Sequence, residues 1–241
     1  MRGPCVADYR SGVQMTVVSL RRYPVKSMGG ESLASARLDT RGLCGDRWFA
    51  VEDEDGHFAS GKNTRRFRRR DAVFNYTAST NDTGQVVVAC GPRAWKVGDP
   101  ALDDELSHVM GAPVRVAPEV AIPHQDMGAV SIISTATLDW CAQRWGISSD
   151  PRRLRVNILF TSDQPFIEEK WVGSEVRVGG VKLRVVEPVP RCRMIDIDQD
   201  DARTEGRWLK PLAAERDMFL AMYADVAATG VIRVGDTLTV G

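Results

Sequence analysis

The stretch that decides the fold class reads EVRVGGVKLRVV and runs from Glu175 to Val186. Apolar and polar residues alternate on both sides of Gly179-Gly180, and a period of two is typical of a strand with one buried face. Paired glycines between two such runs indicate a tight turn. We therefore predict a β-hairpin in the second half of the chain.

The same alternation recurs along most of the sequence. The predicted strands are Met15–Tyr23, Leu33–Asp39, Trp48–Glu52, Val86–Cys90, Asn157–Phe160, Glu175–Val178, Val181–Val186 and Phe219–Val226. Asp55-Gly56 predicts a further tight hairpin, between Trp48–Glu52 and His57–Ser60. Short strands with few helices predict a β-rich α+β protein built from barrels or sandwiches, not a doubly wound sheet. No glycine-rich dinucleotide loop follows a strand, which argues against a Rossmann cofactor site.

Three segments have helical signals. They are Asp103–Met110, Thr135–Trp145 and Leu209–Arg216. The second has the clearest ends, because Ser134 can cap its start and Gly146 can end it.

The chain has 241 residues, enough for one large domain or two small ones. Prolines and irregular polarity interrupt the pattern between Pro113 and Gly128. We therefore predict an N-terminal domain at residues 15–120 and a second domain at residues 121–241. The boundary is soft, and the N-terminal strand can pair with the second domain.

Composition excludes several classes of protein. Lys plus Arg equals Asp plus Glu, at 32 each, so the net charge is zero, whereas a general nucleic-acid binder needs a basic surplus. No run approaches the roughly 20 apolar residues that span a bilayer, and Met1–Gly12 lacks the apolar run of a secretory signal. We therefore expect a cytoplasmic protein with neither a nucleic-acid nor a membrane partner.

Cysteine and histidine spacing argues against a disulfide framework and against a zinc site. The five cysteines are scattered and contain no C-x-x-C pair: Cys5, Cys44, Cys90, Cys141 and Cys192. The three histidines lack metal-ligand spacing as well: His57, His108 and His124. A cysteine with a chemical role must therefore be identified by its neighbours.

Cys192 has distinctive neighbours, in the segment EPVPRCR from Glu187 to Arg193. Its two prolines fix φ and remove backbone donors, which predicts a stiff loop after a strand. Arg191 and Arg193 flank the thiol, and fixed positive charge favours the thiolate that binds metals. The alternative is an inert buried cysteine between surface arginines.

Two loops in the first half of the chain also carry candidate binding residues. In YPVKSMGGE, Lys26 and Ser27 precede two glycines that permit close backbone approach, a combination that suits an anionic phosphate or a pterin edge. In GLCGDRW, a turn places Asp46 and Arg47 at the head of a strand. The alternatives are a solvated loop and a surface ion pair of little energetic value.

The segment RRLRVN contains Arg155 and Asn157, and Asn157 is either a turn residue or a ligand-facing amide. Arg65–Arg70, RRFRRR, is the one strongly basic run. Such a run is usually a solvated face. The alternatives are a docking surface for an acidic redox partner and an entry route for an anionic cofactor.

Taken together, these segments resemble the MOSC-domain proteins, in particular the group that includes the mitochondrial amidoxime-reducing component and its bacterial relatives. The matching segments are Tyr23–Ser27, Asp46–Trp48, Ile133–Leu138, Leu154–Ile158, Arg191–Cys192, Asp198–Asp200 and Ile232–Asp236. Their order and spacing hold from Met15 to Val240, which is nearly the whole chain. Each motif alone is weak, but the ordered set is specific.

The resemblance implies an N-terminal β-barrel-like domain followed by the MOSC β-barrel, with a molybdenum–molybdopterin cofactor between them. It implies that Cys192 is the protein ligand of molybdenum. It also implies that seven further residues contact the cofactor: Lys26, Ser27, Arg47, Ser134, Arg155, Asn157 and Arg191. Pro190 departs from the small polar residue that is frequent there, and Val156 departs from a frequent proline.

The implied activity is that of a molybdenum–pterin oxidoreductase that reduces small N-hydroxylated or S-oxide compounds by oxygen-atom transfer. Because the chain has no four-cysteine ferredoxin-like segment, we expect electrons from a separate ferredoxin-, flavin- or cytochrome-type protein. Pyridoxal phosphate binding is not expected. Acid–base candidates near Cys192 are Asp196, Asp198 and Asp200. The alternatives are a cofactor carrier or sulfur-transfer protein, and an interaction module that uses Arg65–Arg70.

Overall fold

A computed structural model describes residues 14–202 and 206–241. Cys5 and the segment Met1–Gly12 lie outside the described residues. The described chain is a β-rich α+β protein with three α-helices and many short strands, as the alternating pattern predicts. None of its helices has the length and apolar character that crossing a membrane requires.

Eleven strands and one α-helix lie in the first half of the chain. The strands are β1 (Val17–Arg22), β2 (Glu31–Leu33), β3 (Ser35–Asp39), β4 (Gly42–Leu43), β5 (Phe49–Asp53), β6 (Phe58–Ser60), β7 (Phe67–Arg69), β8 (Thr77–Thr80), β9 (Val86–Cys90), β10 (Arg93–Lys96) and β11 (Val114–Pro118). Helix α1 (Pro100–Met110) starts at the Asp99 cap, with Pro100 in its first turn, where a missing N–H costs nothing. It begins three residues before the predicted start at Asp103.

The second half contains seven more strands and two more α-helices. They are β12 (Val130–Ser134), α2 (Thr135–Trp145), β13 (Ile158–Phe160), β14 (Glu175–Val178), β15 (Val181–Pro190), α3 (Leu209–Glu215), β16 (Phe219–Ala228), β17 (Gly230–Arg233) and β18 (Leu238–Val240). Short 3₁₀ helices span Asp71–Asn75, Pro151–Leu154, Ile167–Trp171 and Arg193–Asp196.

One large sheet forms the framework, with the strand order β18-β14-β15-β16-β12-β13-β1-β2. The predicted hairpin is its β14–β15 pair, in which Val178 lies opposite Val181. Strand β1 pairs with β13, so the start of the chain completes the sheet of the second half. Val17 and Leu20 of β1 accordingly share a core with Val176 and Leu183. The division into residues 15–120 and 121–241 stays a prediction.

A four-stranded sheet, β11-β5-β6-β7, forms the framework of the other region. Strands β5 and β6 form the hairpin predicted at Asp55-Gly56, and Gly56 has the positive φ of 78° that a tight turn needs. This region has a core of its own, in which Val51, Leu102 and Leu106 are buried.

Two sequence predictions about strands are wrong in detail. Glu187–Pro190 is not a loop, because β15 continues to Pro190 with irregular register against β16. Proline has no N–H to donate to a neighbouring strand, and a β-bulge leaves a residue that does not need to donate one. The bulges therefore allow Pro188 and Pro190 to lie within the strand. The predicted strand Leu33–Asp39 is two strands, β2 and β3, which join different sheets.

Candidate functional site

Seven of the eight predicted site residues line one pocket where the two regions meet. They are Lys26, Ser27, Arg47, Arg155, Asn157, Arg191 and Cys192. These residues come from four separate loops and strand ends, which the sheets bring together. The pocket is therefore a product of the tertiary fold and not of one motif.

Cys192 lies directly after β15, in extended backbone, and caps the 3₁₀ helix Arg193–Asp196. Its thiol is free and half-buried. The Arg191 N–H donates to the Met218 carbonyl at 2.7 Å, and the Ile195 N–H donates to the Cys192 carbonyl at 3.1 Å. Backbone bonds on both sides therefore hold the backbone that carries the thiol.

A buried arginine holds the segment that follows Cys192. Arg153 donates to the Ile195 carbonyl through Nε at 3.0 Å and Nη2 at 2.7 Å, and to the Ala202 carbonyl through Nη1 at 3.1 Å. Arg153 is only 1% exposed. The chain after Cys192 is thus tied to the segment that also carries Arg155.

Arg155 and Arg191 each bring one guanidinium nitrogen without a protein partner to the pocket wall. Arg155 Nη1 donates to the Met28 carbonyl at 2.6 Å, and Arg191 donates to the Leu220 and Leu154 carbonyls at 2.8 and 2.7 Å. In both side chains the buried Nη2 atom has no partner. Burial lowers the pKa of each guanidinium to about 10, so both remain charged near neutral pH. Two cations with spare buried donors suit an anionic ligand.

Lys26 is buried at the pocket beside one carboxylate. Its Nζ donates to the His124 carbonyl at 2.7 Å and to Asp126 Oδ1 at 2.8 Å. Burial lowers the pKa of Lys26 to about 8, although Asp126 opposes the shift. The side chain of Asp126 is 51% exposed, and the positive charges of Lys26 and Arg47 lower its pKa to about 2 against the opposing effect of desolvation.

Three pocket residues have left-handed backbone although none is glycine. The φ values are 69° for Ser27, 54° for Arg47 and 53° for Arg155. Such conformations cost free energy in residues with a side chain and cluster at functional sites. The surrounding bonds hold them: Arg47 pairs with the fully buried Asp46, and its Nη2 reaches the Arg155 carbonyl at 3.3 Å.

Ser27 and Asn157 line the pocket but are engaged with the protein. The Ser27 hydroxyl donates to the Ala59 carbonyl at 2.9 Å. Asn157 Oδ1 accepts from the Ser131 N–H at 3.1 Å, and Nδ2 donates to the Arg21 carbonyl at 3.2 Å. Asn157 thus joins β12 to β1, which neither of its predicted roles, turn residue or ligand-facing amide, anticipated; the ligand-facing role stays a prediction.

Ser134 is the predicted site residue that the structure places elsewhere. It is fully buried, and its hydroxyl caps α2 by accepting from the Thr137 N–H at 3.2 Å. Glu168 Oε1 accepts from the Ser134 N–H at 3.2 Å, so a carboxyl group of the protein itself occupies this helix start. The cofactor contact that the resemblance implies for Ser134 stays a prediction.

The three predicted acid–base candidates do not line the pocket. Asp196 accepts from the Trp208 N–H at 2.7 Å, and Asp200 pairs with Arg21 at 2.5 Å. The pocket instead contains Asp126 and Tyr223. Neither had a sequence signal, because Asp126 lies in the irregular segment before β12 and Tyr223 lies in an ordinary alternating strand.

Family comparisons agree with this architecture. The MOSC domain matches residues 119–239, and the MOSC N-terminal beta barrel domain matches residues 14–97. The protein named Mitochondrial amidoxime reducing component 2, from Homo sapiens, is 22% identical over 92% of this chain and 82% of its own length.

Two further comparisons give more distant similarities. Molybdenum cofactor sulfurase 2 of Culex quinquefasciatus is 22% identical over 89% of this chain, which spans only 34% of that longer protein. The crystal structure of the YUAD protein from Bacillus subtilis aligns with a TM-score of 0.49 at 12% identity, over 95% of this chain and 97% of that one. Because the MOSC match alone covers half of the sequence, the chain belongs to the MOSC-domain family.

Proposed function

We propose that this protein is a molybdenum–molybdopterin oxidoreductase that reduces small N-hydroxylated or S-oxide compounds with electrons from a separate carrier. The observation that carries the proposal is the shared pocket of the Cys192 thiol and the unpartnered guanidinium nitrogens of Arg155 and Arg191. Similarity to the human amidoxime-reducing protein supports the choice of substrate class.

The residues present fit such a cofactor. A half-buried thiol is a soft ligand of the kind that molybdenum accepts. Spare buried donors on the two guanidinium groups match a phosphate, which the pterin carries. The strained backbone at Arg47 and Arg155 adds a second feature typical of a binding site.

When bound, the cofactor would supply two-electron oxygen-atom transfer. For an N-hydroxylated amine, two electrons and two protons enter, the N–O bond breaks, the nitrogen gains one hydrogen and the oxygen leaves as water. For an S-oxide, two electrons and two protons also enter and the S–O bond breaks, but both protons go to the oxygen, which leaves as water, and the sulfur gains no hydrogen.

The protein contributes ligation, charge and one proton-holding group. Cys192 would hold the metal, and Arg47, Arg155 and Arg191 would hold the anionic cofactor in place. Lys26 Nζ carries a proton near neutral pH, and its pKa of about 8 allows it to release that proton inside the pocket.

The test is to make the protein in a host that synthesises the cofactor. We expect bound molybdenum and pterin in the wild type, and reduction of benzamidoxime with dithionite-reduced methyl viologen. Cys192→Ala should keep its circular dichroism spectrum but lose the metal and the turnover. Cys90→Ala is the matched control, because Cys90 is a half-buried cysteine outside the pocket. Full turnover of Cys192→Ala would contradict the proposal.

The similarity to a protein named as a molybdenum cofactor sulfurase supports a second candidate, a cofactor carrier or sulfur-transfer protein. In that case the wild type would bind the cofactor without reducing benzamidoxime, or would release thiocyanate from a Cys192 persulfide on treatment with cyanide. If the protein made in the same host contained neither molybdenum nor pterin, both candidate functions would be contradicted.

A further inference from the structure

A group of cations, each exposed or half-buried, borders the pocket on the β6–β7 side. We call it the basic rim, and it consists of Lys62, Arg65, Arg66, Arg68 and Arg69. Strand β7 is the edge strand of its sheet, and edge strands often carry charge to prevent aggregation. That explanation covers Arg68 and Arg69 but not Lys62 and Arg65, which lie in the loop before the strand.

The basic rim is attached to the pocket that contains Cys192. Lys62 and Phe67 line that pocket. The ring of Phe67 lies 5.0 Å from Lys62 Nζ and 5.1 Å from Lys26 Nζ, so one aromatic side chain connects a rim cation with a pocket cation.

Bonds to the segment that follows Cys192 also hold the basic rim in place. Arg193, the residue after Cys192, donates to the Gly61 carbonyl at 2.6 Å and pairs with both oxygens of Asp71 at 3.0 and 2.9 Å. A Cβ at Gly61 would lie 2.8 Å from Ile197 Cδ1 and 3.2 Å from Met194 Cγ, so the two loops are in close contact. The rim is thus a fixed surface beside the thiol.

Most of the rim's charge is not neutralised by the protein. Arg69 shares the Asp71 carboxylate with Arg193. Among residues 14–202 and 206–241, no ion pair involves Lys62, Arg65 or Arg68. An uncompensated cationic surface attracts and orients an acidic partner.

We propose that the basic rim is the docking surface for an acidic one-electron transfer protein that delivers electrons to the Cys192 pocket. The inference rests on the proposed function, because that reaction consumes two external electrons; two reduced carriers would each lose one electron per substrate reduced. A protein partner fits better than nucleic acid, since the net charge of the chain is zero and a general nucleic-acid binder needs a basic surplus.

The test uses an acidic [2Fe–2S] ferredoxin as the probe and the double variant Arg65→Glu/Arg68→Glu. The matched control is Arg177→Glu/Arg233→Glu, because both residues are exposed and neither lines the pocket. We expect ferredoxin binding, measured by titration calorimetry, to weaken roughly tenfold or more in the rim variant and to change little in the control. Arg65→Lys/Arg68→Lys should restore binding, and added salt should weaken wild-type binding.

Turnover with methyl viologen should be the same in wild type, rim variant and control, whereas ferredoxin-driven turnover should fall only in the rim variant. The proposal would be overturned if both double variants lost ferredoxin-driven turnover to the same extent, or if the wild type did not bind ferredoxin. Binding of duplex DNA or of phosphatidylserine vesicles through Arg65 and Arg68, without ferredoxin binding, would also overturn it. If the wild type showed no turnover with methyl viologen, the proposed function would be refuted. The calorimetric titration with ferredoxin would still test the docking surface.

Discussion

The guanidinium carbon of Arg155 lies 4.2 Å from the centroid of the Tyr23 ring. Tyr23 is fully buried just after β1, whereas Arg155 follows the 3₁₀ helix before β13. A buried cation over an aromatic face is stabilised by the negative potential of the ring. The contact therefore helps to hold Arg155 in its left-handed backbone conformation at the pocket wall.

Replacing the ring of Tyr23 should destabilise the protein. Tyr23→Leu removes the aromatic face and part of the buried volume, so we expect the free energy of unfolding to fall by about 2–4 kcal/mol. Tyr23→Phe keeps the ring and should change it by less than about 1.5 kcal/mol. Urea unfolding of both variants measures the difference. Equal midpoints for Leu and Phe would show that the ring contact contributes nothing.

Removing the Arg153 guanidinium should also lower the free energy of unfolding, here through the loss of hydrogen bonds. Arg153→Met leaves the Ile195 carbonyl without its donor, and the Ala202 carbonyl keeps only the Gln199 N–H at 3.4 Å. We expect a loss of about 3 kcal/mol of unfolding free energy, because unpaired buried carbonyls carry a desolvation cost. Arg144→Met is the control: its ion pair with Glu215 is exposed, and such pairs contribute about 1 kcal/mol or less. Similar losses in both variants would contradict the role of Arg153.

Local signals predicted the parts of the fold that depend on local geometry. Ser134 and Gly146 mark the ends of α2 because capping involves only adjacent residues; Gly146 has a positive φ of 64°. The hairpin at Gly179-Gly180 is correct for the same reason. The role of Ser134 beyond the cap could not be predicted, since Glu168 reaches the same helix start from a distant segment.

The paired glycines Gly29 and Gly30 also show that local sequence does not identify contacts with distant segments. Close backbone approach was expected there, and it occurs, but between parts of the protein. A Cβ at Gly30 would lie 2.3 Å from the Arg22 carbonyl oxygen, and one at Gly29 would lie 2.9 Å from Asp200 Oδ1. The sequence shows that a glycine is needed, but the identity of the group that approaches it depends on tertiary contacts.

Neutralising Asp126 should change the protonation of Lys26. Asp126→Asn removes the carboxylate that raises the pKa of Lys26, while burial and the charge of Arg47 remain to lower it. We expect the pKa of Lys26 in this variant to be lower than its wild-type value of about 8. Titration of the Nζ resonance by NMR measures it in both proteins. An unchanged pKa would show that Asp126 does not control this charge.

His124 should make the stability of the protein depend on pH. The residue is only 2% exposed and its Nδ1 has no partner. Burial lowers its pKa from 6.5 to about 4; the charges of Lys26 and Arg41 act in the same direction, and Glu119 opposes them. Below pH 6.5 the unfolded chain therefore binds a proton here that the folded protein does not. The free energy of unfolding should fall as the pH drops from 6.5 towards 4.

The substitution His124→Gln tests this contribution, because an amide does not titrate. Urea unfolding at several pH values between 6.5 and 4 should show a shallower decline for His124→Gln than for the wild type. His108→Gln is the matched control, since His108 is exposed on α1 and its replacement should leave the decline unchanged. The carboxylate of Asp126, whose pKa is lowered from 3.8 to about 2, lowers the free energy of unfolding mainly as the pH falls between those two values, below the range tested here. Parallel curves for the wild type and His124→Gln would assign the decline to other groups.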